Sequence, residues 1–319
     1  MADRPLCVGM TRSTLPRDPT FHQFIAVWLR DVVTHGVRPT TAGGYRYICE
    51  NRILPEWGHL RLRALRAIEV QAFLASELRR GQAPSTVRQT LRILRIALER
   101  ARSFGLVKTN VAREVATPRV PRPLIVPLSP REVRALLRVT RGQAIGRLIA
   151  LGLAGLRAGE LRGLQWGDLE LRAQRLHVRR TAQWAGKGLV ILPPKTGASL
   201  RTISLPRFVV RELALVPRRQ RHGFLFAGEK GTPLHGTVLQ RWLARAVVQA
   251  RLGRRDVTVH LLRHTAAAML LESAVHLRVV MNVLGHARVQ TTIDVYGHLR
   301  PELHAEAAAT MDVWIHRQR

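Results

Sequence analysis

Apolar residues recur along this chain at two different periods, and the change of period divides it. Between Pro84 and Gly105 they fall at Val87, Leu91, Leu94, Leu98 and Ala101, one stripe of a helix with 3.6 residues per turn, with Gly105 placed to end it. The stretches FHQFIAVWLRDVV from Phe21 and AIEVQAFLASEL from Ala67 share that spacing, so the first hundred residues predict a small all-helical bundle. From Thr117 to Pro130 the sequence TPRVPRPLIVPLSP is too rich in proline to continue a helix and reads as an extended connection. Ser129, Pro130 and Glu132 then supply an N-cap, a first-turn proline and a reciprocal capping carboxylate, so a new helix starts there.

Past that start, a helix near Arg131 to Arg138 and an apolar helix through IGRLIALGLAGLRAGELRGL are expected. The short runs QRLHVRR, GLVILP and LRTISLP, punctuated by Gly, Pro and Lys, then predict strands of a small antiparallel sheet. Helical spacing returns at TVLQRWLARAVVQARL and continues to the end. The expected fold is mostly α in two domains: an all-helical bundle over 19–112, a Pro-rich linker over 113–128, and an α+β domain over 129–319. There is no apolar signal segment at the N-terminus and no run long enough to span a membrane, and the two cysteines, Cys7 and Cys49, fit a reducing cytoplasm.

Charge narrows the partner. The 319 residues hold 52 Lys and Arg against 21 Asp and Glu, a formal net charge of +31, which points to a polyanion and above all to nucleic acid. Arg88, Arg92, Arg95 and Arg102 form a basic row beside the apolar stripe of the first domain. Such a row is either a solvated face or a surface that follows DNA phosphates.

Candidate chemistry gathers in the second domain. In VTVHLLRHTAAAML, His260 and His264 lie four apart on one helix face, the spacing of a zinc pair. The position after the first histidine, where a metalloprotease places its glutamate base, is Leu261, and no third ligand lies nearby, so no metal and no cofactor is expected and His264 reads as a structural histidine. His260 and Arg263 also face the same way, with Cβ atoms about 5 to 6 Å apart. Together they can meet one phosphate, the guanidinium binding two oxygens while the imidazole moves a proton. GLRAGELRGLQWGDL sets Arg157 at a helix start with Glu160 one turn on; PPKTGAS sets Lys195 in a turn between strands; VLGHARVQTTIDVYGHL carries His286 and Tyr296. Taken singly, these are an ordinary ion pair, a solvated lysine, a capping histidine and a packing aromatic; Trp166 and Asp168 read as structural.

In order and wording, these segments resemble the tyrosine recombinase (phage integrase) family. The resemblance extends from about Thr20 to the C-terminus, with its motifs between Gly155 and Leu299. It implies a SAM-like core-binding domain followed by a catalytic domain, and the catalytic set Arg157, Lys195, His260, Arg263, His286 and the nucleophile Tyr296. Leu261 departs from it, since many members carry Asp there. The implied activity is strand breakage and rejoining at specific sites in double-stranded DNA, through a 3′-phosphotyrosine bond and a Holliday junction. The implied partners are a tetramer formed on DNA through the C-terminal tail PELHAEAAATMDVWIHR and a directionality factor, with no membrane and a cytoplasmic, nucleoid-associated location. About 20 residues precede the first helical pattern, which argues against a separate arm-binding module. The rivals are a type IB topoisomerase, which would relax supercoils without joining sites, and a non-catalytic DNA-binding regulator, which would tolerate loss of the set.

Overall fold

In the first helical segment a reciprocal cap fixes where the chain begins to coil. Thr20 Oγ1 accepts from the Gln23 backbone N–H at 3.3 Å, and the Gln23 side chain accepts from the Thr20 N–H at 2.9 Å. The computed structural model describes residues 15–120, 125–185, 188–194, 200–273 and 275–285. The chain divides into two units, 1–123 with 185–188 and 124–184 with 189–319, and each is described by itself.

Over residues 15–120 the first unit is built of helices. Helix α1 (Phe21–Val27) runs on through a π-helical turn, Trp28–Val33, into α2 (Thr34–Gly36), and α3 (Pro39–Ile48) does the same through Cys49–Ile53 into α4 (Leu54–Trp57). Helices α5 (Ala67–Arg79) and α6 (Pro84–Ser103) complete the bundle. The predicted stripe of α6, Val87 to Ala101, is buried against Phe24, Trp28, Ile53 and Phe73. Each buried Val or Leu of the stripe contributes about 1.5 to 3 kcal/mol relative to exposure. Gly105, at φ +73°, ends α6 as expected, with the Leu106 N–H donating back to the Ala101 carbonyl at 3.0 Å. Cys49 is buried and unbonded, and burial pushes its thiol up to about 12, so it is packing material.

The expected linker, 113–128, is anchored at both ends. Arg95 Nε and Nη2 donate to the carbonyls of Ala112 (2.8 Å) and Val115 (2.7 Å), fixing the upstream end on α6. Downstream, Leu128 is buried in the second unit and its N–H donates to Thr265 Oγ1 at 3.0 Å.

The second unit begins with α7 (Pro130–Val139), capped by Ser129 and Glu132 as the sequence indicates, and α8 (Ala144–Leu153) follows. The apolar helix expected in this stretch ends after Leu153, ahead of the separate helix start expected at Arg157. Gly155 adopts φ +92°, its N–H donates to the Gly152 carbonyl (3.0 Å), the Leu156 N–H reaches the Leu151 carbonyl (3.3 Å), and α9 (Ala158–Gly163) starts afresh. The cause is a Schellman ending, which a left-handed glycine allows and apolar periodicity does not register.

Strands β1 (Leu169–Glu170), β2 (Arg175–Val178) and β5 (Arg201–Ser204) form an antiparallel sheet, with Leu176 opposite Ile203 and Val178 opposite Arg201; β3 (Thr181–Ala185) and β4 (Gly188–Leu192) pair separately. Helices α10 (Arg207–Ala214), α11 (Gly236–Gln249), α12 (Val259–Glu272) and α13 (Leu277–Leu284) complete the described residues. The fold is thus mostly α, with small antiparallel sheets between Leu169 and Ser204. Helix α8 is the axis of the second unit, with α7, α10, α11 and α12 packed around it. A Cβ on Gly152 would stand 3.0 Å from Leu262 Cβ, so the missing side chain lets α12 lie close against α8. Among the described residues no helix is long and apolar enough to cross a membrane.

Candidate active site

Three elements converge where α13 ends. Gly285 closes α13 in the left-handed conformation, φ 65°, leaving the last carbonyls without helical partners. Each of three consecutive carbonyls takes a different arginine. Arg201 Nε on β5 donates to Val283 O (2.8 Å), Arg263 Nη2 on α12 to Leu284 O (2.5 Å), and Arg157 Nη2 at the start of α9 to Gly285 O (2.7 Å). Positive charge at a helix C-terminus also complements its macrodipole.

Behind the carbonyls lies one carboxylate. Glu160 Oε1 accepts from Arg157 Nη1 (2.9 Å) and Arg201 Nη1 (3.0 Å), while Oε2 accepts from the Arg157 backbone N–H (2.9 Å) and Arg201 Nη2 (3.0 Å). Arg201 therefore grips Glu160 with both ends of its fork and Val283 with its Nε. The Glu160 side chain is only 1% exposed and that of Arg201 7%. Burial alone would push the Glu160 carboxyl up, but the Arg201 guanidinium, and after it the N–H and charge of Arg157, hold it below the usual carboxylate range. It stays an anion, and so an acceptor, at neutral pH.

Arg157 and Arg263 differ in access. The Arg157 side chain is 35% exposed. Arg263 is 3% exposed and also donates through Nη1 to Gly155 O at 2.5 Å, tying α12 to the break between α8 and α9. Thr258 caps α12, accepting from the Leu261 N–H at 3.1 Å, and His260 and Arg263 lie one turn apart beyond it. Leu261 itself is buried in the core. Burial, then the charges of Arg263 and Arg157, press the His260 imidazole below the usual histidine range, so both arginines lie within its electrostatic reach. His264 meets His260 edge to face, ring centroids 4.3 Å apart, and its own pKa is lowered to about 4 by burial and then by His260 and Arg263. This is a packed pair. No group of three or more His, Cys, Asp or Glu among the described residues is placed to hold a metal ion.

Of the expected set, Arg157, His260 and Arg263 are thus brought together, whereas Lys195, His286 and Tyr296 lie outside the described residues. Sequence reasoning missed Arg201. Its signal was available in LRTISLP, where strand alternation puts Arg201 on the inward face with Ile203, an odd place for a charge without a buried partner. Trp166 and Asp168 are structural. Trp166 is buried, and Asp168 accepts from the Gln165 N–H (2.9 Å) and from Arg180 Nη1 (2.6 Å). In the first unit, Arg88 and Arg92 are exposed beside Ser85 and Gln89, whereas Arg95 is engaged with the chain at Ala112 to Thr117 and Arg102 with Glu99.

Residues 127–302 match the model of the phage integrase family, and residues 20–78 that of its N-terminal SAM-like domain. The chain belongs to the phage integrase family, the site-specific tyrosine recombinases. Relatives include a XerC-like tyrosine recombinase of Caldanaerobacter subterraneus, 25% identical over 93% of this chain and 83% of the relative. Another is the XerC of Brucella melitensis, 31% identical over 75% of this chain and 74% of its own. Among solved structures, the Tn1549 transposon integrase in complex with a circular intermediate DNA superposes with a TM-score of 0.75 at 22% identity, covering 92% of this chain and 99% of that one. A lambda integrase tetramer bound to a Holliday junction gives 0.65 at 18%, over 85% and 79%. These two likenesses show the fold; the family match and the recombinase relatives make this chain a tyrosine recombinase, an enzyme of DNA recombination and integration.

The histidine pair gives this recombinase an acid-sensitive site. The unfolded chain takes up a proton at His264 near pH 6.5, the folded one only near 4, so stability is lost progressively as pH falls from 6.5 towards 4. Urea midpoints measured across that window should fall for the wild type and fall less for His264→Gln; equal slopes would show that the loss lies elsewhere.

Proposed function

We propose that this recombinase cuts and rejoins DNA through a 3′-phosphotyrosine intermediate, with Arg157, Lys195, His260, Arg263, His286 and Tyr296 as its catalytic set. The observation that carries the reading is the convergence of Arg157 and Arg263 on the adjoining carbonyls of Leu284 and Gly285, immediately before His286, with Arg263 also bound to Gly155, 108 residues upstream of it. A phenol with a pKa near 10 attacks an anionic diester poorly, so fixed positive charge must receive the charge that builds on the phosphoryl oxygens. Arg157 and Arg263 supply it. Tyr296 Oη forms the bond to phosphorus and gives its proton to His260, which stays a neutral base because burial and two arginines disfavour its protonated form. The bond from phosphorus to the 5′-oxygen breaks, Lys195 protonates that oxygen, and His286 hydrogen-bonds the phosphate. Rejoining reverses these steps with a new 5′-hydroxyl, and exchange in pairs passes through a Holliday junction.

Duplex DNA bearing recombination sites is the substrate, which agrees with a net charge of +31 and with the DNA in the related Tn1549 complex. In the first unit Arg88 and Arg92 are the residues of the basic row best placed to follow phosphates. The C-terminal tail joins protomers into a tetramer on DNA, a directionality factor acts on that assembly, and the protein works at the nucleoid. The lambda integrase tetramer on a Holliday junction supports this arrangement by analogy of fold.

Incubated in EDTA with nicked duplexes carrying candidate attachment sequences, the protein should form a covalent adduct with DNA, and Tyr296→Phe should form none. An adduct that needs added metal, or persists in Tyr296→Phe, would falsify the scheme. Replacing Arg88 and Arg92 together by Ala should lower the slope of log affinity against log salt by about 0.9 for each phosphate that is no longer neutralised, up to roughly 1.8. An unchanged slope removes them from the interface. Truncation after Ala308 should preserve cleavage of a single site but abolish joining of two, read on gels of paired substrates; intact joining would disprove the role of the tail.

A further inference from the structure

Arg201 lies outside the set that touches the reacting phosphate, yet it holds the parts on which that set rests. Its guanidinium meets both oxygens of Glu160 and the Val283 carbonyl, while its backbone on β5 pairs with Val178. Glu160 in turn accepts from the Arg157 side chain and backbone, so two guanidiniums share one carboxylate. Val283 is the first of the three clamped carbonyls, and the next two receive Arg263 and Arg157.

We propose that Arg201 is a positioning residue for strand cleavage, setting the guanidinium of Arg157 through the shared Glu160 and through the end of α13. The proposal deepens the strand-cleaving reading and rests on it. Without Arg201, Glu160 keeps one guanidinium partner in place of two and is free to turn towards Arg157 alone. The Val283 carbonyl loses its donor, and the two other carbonyls that support Arg157 and Arg263 are held by one arginine each on an end that is no longer tied to β5. Arg157 then commits its N–H groups to an ungoverned carboxylate and meets the phosphate in the wrong place. Lysine is a poor substitute, because a point charge cannot span both oxygens and a carbonyl at once.

A positioning role is separated from simple support of the fold by changing the charge at the phosphate. A methylphosphonate at the scissile position carries a methyl group in place of one charged oxygen, so cleavage depends far less on a well-placed arginine. Single-turnover adduct formation should fall on the order of 10- to 100-fold in Arg201→Met on the ordinary phosphodiester, the size seen when groups that orient a charged ligand are removed. On the methylphosphonate the same variant should be within about threefold of wild type, the margin expected once the charge to be neutralised is gone. Arg201→Lys should show the same contrast at smaller size and serves as the reading if the methionine variant unfolds. In parallel, hydrogen exchange at the Arg157 amide, which donates to Glu160, should accelerate in either variant. Equal losses on the two substrates, or unchanged exchange at Arg157, would overturn the proposal. If wild type forms no adduct on either substrate, the strand-cleaving reading itself fails, while the exchange experiment still decides whether Arg201 holds Glu160 against Arg157.

Discussion

A carboxylate taken out of water must be surrounded by donors, and Glu160 is the point in this protein where that requirement is most severe. An ion so buried is costly to leave without partners, commonly by about 3 to 5 kcal/mol once one of a pair is removed. Four donors from Arg157 and Arg201 meet it. Because they come from the start of α9 and from β5, satisfying one side chain fixes two elements that the sequence separates by 41 residues. The placement of the Arg157 guanidinium is in this sense a by-product of burying an anion correctly.

The same requirement governs the end of α13. Every helix leaves its last carbonyls without intrahelical partners, and most proteins give these to water or to a following turn. Here they are given to arginines. The carbonyls give the guanidiniums fixed acceptors, so the protein itself holds these side chains in place. Such preorganisation is what allows charge stabilisation to operate without a reorganisation penalty during reaction. Helix α8 provides the rigid backing, being apolar almost throughout and enclosed by four other helices.

Much of this was legible in the sequence, because periodicity and capping are local. The stripe from Val87 to Ala101, the Gly105 stop and the Ser129 cap all follow from a few neighbouring residues, and the structure has each of them. Arg157, His260 and Arg263 were recognisable as a set because their spacing within short motifs reflects one helix start and one helix turn. What escaped depends on the third dimension. A new helix start at Arg157 was legible, but the way α8 ends at Leu153 was not, because a left-handed glycine leaves no mark on apolar spacing. Arg201 was overlooked because its partners, Glu160 and Val283, lie 41 and 82 residues away, and because a backbone carbonyl has no sequence signature at all. Arg95 was read as part of a basic surface, whereas the chain that returns past it at Ala112 to Thr117 occupies its guanidinium.

Gly155 shows how closely these layers are fused. Its φ of +92° is open to glycine and strained for other residues; its carbonyl is the acceptor of Arg263 Nη1; and the space where a Cβ would stand is 2.9 Å from Leu284 Cδ2. Backbone conformation, side-chain packing and the placement of the Arg263 guanidinium therefore all bear on one residue that has no side chain of its own. A position like this would be invariant in any family of functional variants, and its invariance would be easy to misread as contact with the substrate. Its constancy would record the shape of the scaffold.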